Sequence, residues 1–75
     1  MKAIKKLKTI RSYQGLAQFL AGCSDKMQEV PKIQGLPTSR YSYSPTSMVE
    51  FTGEGIPFVR IETARKVYEI WQVGV

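Results

Sequence analysis

Lys2, Lys5, Lys6, Lys8 and Arg11 are the only charged residues among the first eleven. Ammonium and guanidinium groups at that density attract polyanions: a phosphate backbone, an anionic lipid surface or an acidic protein. From Ser12 onward six bases (Lys26, Lys32, Arg40, Arg60, Arg65, Lys66) meet six acids (Asp25, Glu29, Glu50, Glu54, Glu62, Glu69). The body is therefore neutral, and the net charge of +5 lies wholly in the N-terminal arm. A helix face kept basic for solubility is the competing explanation. A second constellation is the hydroxyl-rich stretch TSRYSYSPTS, where Tyr41 and Tyr43 stand around Arg40. Exposed aromatics beside an arginine can stack on unpaired bases; the alternative is a polar loop whose tyrosines tuck against the core.

Other chemistries find little support. The chain has no histidine, which removes Ser-His-Asp triads, imidazole acid–base pairs and His-ligated zinc. Cys23 is the only cysteine, so no intramolecular disulfide forms, and no histidine is present to activate it. The carboxylates are scattered, and neither a glycine-rich phosphate loop nor an EF-hand spacing occurs. The expectation is a protein that is not an enzyme and needs no metal or cofactor. No uninterrupted apolar stretch follows the basic opening, so a signal peptide or membrane span is not expected, and a cytoplasmic location is.

The elements that must position these residues form one domain over 1–75. At this size the core is thin, supplying about 3–5 kcal/mol of net stability, and a partner or a homodimer would help. Ile4, Leu7 and Ile10 with Ala3 make one helical stripe in the 1–11 arm, which reads as either a short helix or a pairing strand, the spacing favouring the helix. Tyr13, Leu16, Ala17, Phe19 and Leu20 make another, pointing the opposite way. A break at Arg11-Ser12 reconciles them, with Ser12 capping a helix over Tyr13–Ala21 and Gly22 ending it. Ser24 caps a further short helix that stops at Pro31, completing a helical pair over 12–30. Residues 31–47 read as a loop. Val49 and Phe51 alternate with Glu50 and Thr52 before Gly53-Glu54-Gly55, giving a β-hairpin over 48–62. In 63–73, Ala64, Val67, Tyr68, Ile70 and Trp71 share one arc, which predicts a C-terminal amphipathic helix capped by Thr63. The expected class is α+β, a helical layer against a small sheet. Leu16, Phe19, Leu20, Phe51, Phe58, Val59, Ile61, Tyr68 and Trp71 form the expected core.

The segment LAQFLAGCSDKMQEV resembles a helix-turn-helix, with Leu16, Ala17, Leu20, Met27 and Val30 at suitable apolar positions. It departs from that pattern in having Ala21 where glycine is usual, and Gly22 where an apolar residue is usual. Its second helix would carry Asp25 and Glu29 against Lys26 alone, a poor face for phosphates. The hairpin that follows is similar to the wing of winged helix-turn-helix proteins, although its tip carries Glu54. GIPFVRI resembles a phrase of type I restriction specificity subunits, and YSPTS one unit of the RNA polymerase II tail repeat; each is too short to carry a role over.

These features lead to the expectation of a small nucleic-acid-binding or regulatory protein, of the kind mobile elements carry. Lys2, Lys5, Lys6, Lys8 and Arg11 would contact phosphates, and Lys26, Arg40, Tyr41 and Tyr43 would add selectivity. The alternative is a protein-binding inhibitor or adaptor, for example a phage-encoded inhibitor of a host nuclease or defence complex, whose basic arm meets an acidic protein surface.

Overall fold

Tyr68 to Gly74 alternates between the two sides of a sheet instead of winding into a helix, and this changes the architecture of the whole chain. The computed structural model describes residues 2–30, 33–36, 47–63 and 65–74. The chain runs β1 (Lys2–Ile10), α1 (Tyr13–Ala21), β2 (Cys23–Val30), β3 (Ser47–Thr52), β4 (Pro57–Glu62) and β5 (Tyr68–Gly74). The five strands form one sheet in the order β1-β5-β4-β3-β2, with every neighbouring pair antiparallel. The expected helix-rich α+β arrangement is thus overturned: the fold is mostly antiparallel sheet with one short helix.

Three expected helices are strands, each for an identifiable reason. In the 1–11 arm, the three-residue spacing of Ile4, Leu7 and Ile10 imitates a helical stripe. It arises from a strand with two bulges, at Ile4 and at Leu7, where β1 spends one more residue than β5. In 63–73, β5 lies between β1 and β4. A central strand is covered on both faces, so its apolar residues do not alternate cleanly with polar ones. The second member of the helical pair is β2, an edge strand with an irregularity between Ser24 and Met27. With residues 23–30 in a sheet, the helix-turn-helix and winged readings both fall.

The helix over Tyr13–Ala21 forms where Ser12 and Gly22 place it. Ser12 has extended backbone angles, and its hydroxyl accepts from the Gly15 amide at 3.0 Å. At the other end the Gly22 amide donates to the Phe19 carbonyl at 3.1 Å. Leu16 is buried on the sheet, and Phe19 and Leu20 pack beside it.

The sheet separates two apolar clusters. Ile10, Leu16, Phe58 and Ile70 fill the helix side, flanked by Phe19, Leu20, Cys23 and Tyr68. Phe19 meets Phe58 edge to face, ring centroids 5.3 Å apart; such a pair adds about 0.5–1.5 kcal/mol beyond its buried area. Ala3, Val49, Val59, Ile61 and Val73 fill the opposite side, where Ile33 and Leu36 cover them and Phe51 and Trp71 pack at the margin. No helix among the described residues is long and apolar enough to cross a membrane.

The β3–β4 and β4–β5 connections are the same turn built twice. In each, a threonine hydroxyl accepts from the amide four residues on: Ile56 N to Thr52 at 3.0 Å, Val67 N to Thr63 at 3.2 Å. In each, the fourth residue donates to the threonine carbonyl at 2.9 Å. That fourth residue has a left-handed backbone in both, Gly55 at φ +82° and Lys66 at φ +60°.

Candidate nucleic-acid interface

The basic arm is β1, an edge strand, and its bulges decide where its charges point. In a regular strand residues three apart lie on opposite faces. Each bulge inserts one residue, so Lys2, Lys5 and Lys8 pair with Gly74, Gln72 and Ile70, alternate positions of β5 on the helix side of the sheet. The three lysines therefore share one face, spread over the four residue steps from Gly74 to Ile70, roughly 13 Å of sheet. All are exposed. Lys6 pairs with Trp71 and lies on the opposite face, where its ammonium stands 4.0 Å from a Glu69 carboxylate oxygen. The strand thus divides its lysines, three to one side and one to the other. Ile4 and Leu7, the bulge residues, are 58% and 38% exposed between them.

At the end of β1 the basic row meets α1. The Lys8 ammonium sits over the Phe19 ring, 5.5 Å from its centroid, held by the ring's negative face. Lys8, Arg11, Ser12, Gly15, Gln18 and Phe19 line an open cleft of about 370 Å³. The cleft thus combines two cations, polar side chains and the flank of an aromatic ring, without any acid among the described residues that line it.

A different polar group lies under the helix side of the sheet. Glu50 is 3% exposed, its Oε1 is 3.5 Å from an Arg60 guanidinium nitrogen, and its Oε2 has no hydrogen-bond partner among the described residues. Burial pushes its carboxyl above the ordinary value, and Arg60 partly opposes that. Burial, with a smaller contribution from Glu50, also raises the Cys23 thiol, which donates to the Phe19 carbonyl at 3.4 Å. On the other face Glu69 is buried too, accepting from the Trp71 indole at 2.8 Å. Among the described residues no three cysteine or carboxylate side chains come together as a metal would need.

No family model, curated protein or solved structure matches the chain. The site rests on its own geometry.

Of the residues singled out in the sequence, Lys2, Lys5, Lys8 and Arg11 come together, and Lys6 is turned away from them. Lys26 belongs to β2, the edge opposite β1, and its side chain lies outside the described residues. Arg40, Tyr41 and Tyr43 also lie outside them. Sequence reasoning missed Phe19 as the platform under Lys8. It also missed the grouping of the lysines, although Lys2, Lys5, Lys8 and Arg11 recur every three residues.

Proposed function

We propose that the protein binds nucleic acid in the cytoplasm through the helix-side face of β1 and the cleft at its end, without enzymatic activity. The observation that supports this best is the one-sided row Lys2, Lys5, Lys8, continued by Arg11 into a cleft with no acid among the described residues that line it. Phosphate contacts of this kind position a protein on a backbone without reading bases. Each contact to duplex DNA contributes about −0.9 to the slope of log affinity against log salt. Fluorescence polarisation against random duplex DNA and RNA at several salt concentrations tests the reading. The Lys2/Lys5/Lys8 to glutamine variant flattens the duplex slope by roughly 2.7, whereas Lys6→Gln leaves it nearly unchanged. Equal effects from Lys6 and Lys5 would refute the division by face, and wild-type binding that ignores salt would refute the reading altogether.

The second reading, an adaptor or inhibitor that docks on an acidic protein, is favoured by one observation. Ile4 and Leu7 are exposed between the lysines, and apolar contacts interleaved with charge suit a protein surface better than a phosphate backbone. Ile4→Ser with Leu7→Ser separates the two: it spares nucleic-acid affinity under the first reading and abolishes partner binding under the second.

A further inference from the structure

Lys66 holds a left-handed backbone, φ +60°, at the position its twin turn fills with Gly55. The hydrogen bonds of the two turns match pair for pair, so the backbone requirement is the same in both. Glycine meets that requirement without a steric penalty, and lysine does not. A strained residue is an observation from which a role for its side chain can be inferred.

Its place in the sheet indicates the role. β1 ends at Ile10 opposite Tyr68, and β4 ends at Glu62 opposite the same Tyr68. The 63–67 turn therefore stands at the end of the sheet where Arg11 and the cleft lie. The Gly55 turn is at the other end. Arg65 and Lys66 are both exposed. The Gly55 turn instead carries Glu54, which is exposed as well. The two copies of one turn thus differ in charge as well as in strain, and the basic and strained copy is the one beside the basic cleft.

We infer that Arg65 and Lys66 belong to the nucleic-acid-binding surface and contact the phosphate backbone beyond the end of β1, around the corner from Lys8 and Arg11. This rests on the reading under Proposed function and enlarges it. The row along β1 follows one stretch of backbone, and the turn reaches the next. Glu62, exposed at the base of the turn, sets a limit on how closely phosphate approaches from that side.

Lys66→Gly tests this with two readouts that move in opposite senses. Relief of the left-handed strain raises the melting temperature by roughly 4 °C. Loss of one phosphate contact flattens the duplex-DNA salt slope by about 0.9 and weakens binding about fivefold at 150 mM salt. Lys66→Asn, which tolerates the left-handed region without a charge, gives the same loss of slope, and Lys66→Arg restores it. Arg65→Gln lowers the slope by a further 0.9 or so. A wild type that binds with a salt-dependent affinity while Lys66→Gly and Arg65→Gln bind equally well overturns this inference and leaves the β1 reading standing. A Lys66→Gly protein that melts lower than wild type overturns the strain argument. Absence of salt-dependent binding by the wild type removes both readings.

Discussion

Replacing Arg60 by methionine isolates the buried charge on β3. Methionine keeps much of the arginine stem's packing, so the main change is loss of the guanidinium 3.5 Å from Glu50. Breaking a fully buried ion pair costs about 3–5 kcal/mol, because the remaining charge stays buried without its partner. The Arg60 side chain is 33% exposed, so water already screens part of the attraction, and the lower figure of about 2–3 kcal/mol applies. That is most of what a 75-residue core supplies. At this size it lowers the melting temperature by roughly 10–20 °C. The pH dependence has a definite sign. A carboxyl raised on folding gives stability that is complete below its unfolded value, near 4.3, and lost as pH rises through the folded value. Arg60 holds the Glu50 carboxyl down against burial, so its removal lifts that carboxyl further. The deficit of Arg60→Met is therefore greatest at pH 7 and closes by about pH 4 as Glu50 takes up its proton. Thermal melts by circular dichroism at both pH values, on wild type, Arg60→Met, Glu50→Gln and the double variant, measure it. Glu50→Gln in the Arg60→Met background abolishes the pH-dependent part. An Arg60→Met deficit that is the same at pH 4 and pH 7, or a double variant with the same pH dependence as Arg60→Met, would refute the reasoning.

Two further outcomes follow from single contacts. Cys23 carries less thiolate at pH 8 than a free cysteine, since burial and then Glu50 raise its thiol. Its alkylation by iodoacetamide is therefore slow in the native protein and becomes ordinary in urea; equal rates in both would show an accessible, unperturbed thiol. A Cβ at Gly53 would stand 2.7 Å from the Gly22 carbonyl oxygen, a backbone atom that cannot swing aside. Gly53→Ala accordingly costs about 1–3 kcal/mol, read as a lower urea midpoint, and an unchanged midpoint would show that the two turns separate easily.

What the sequence conveyed of this fold was local, and what it concealed was tertiary. Ser12 and Gly22 bound α1 because a cap and a terminator act on neighbouring backbone alone. The turn at Gly53-Glu54-Gly55 was legible for the same reason. By contrast, Ile4, Leu7 and Ile10 presented a helical spacing whose cause, two bulges against β5, involves residues some sixty positions away. Trp71 and Glu69, two apart, fit no helical pairing, yet lie side by side on one face of a strand. That β5 is central, with both faces covered, is a property of the whole sheet and not of its own residues. The basic site was visible as a density of charge. Its sidedness was not, because it depends on the same two bulges.

The position of β1 also bears on how the protein is made. Seven of its nine residues pair with β5, from Lys2 opposite Gly74 to Ile10 opposite Tyr68, so the first of the five strands in chain order pairs with the last of them. At about 5–20 residues per second, several seconds pass on the ribosome before β5 emerges. α1 can wind in that interval, but the sheet cannot close. Pairings of such long sequence separation are then slow to form, on a scale of milliseconds to seconds. A strand bearing Ile4, Leu7 and Ile10 would be a ready template for aggregation while it waits, and interspersed charge is what suppresses such templates. The lysines of β1 thus have work to do before there is any folded surface for a ligand to meet, holding the nascent strand in solution until its neighbour arrives.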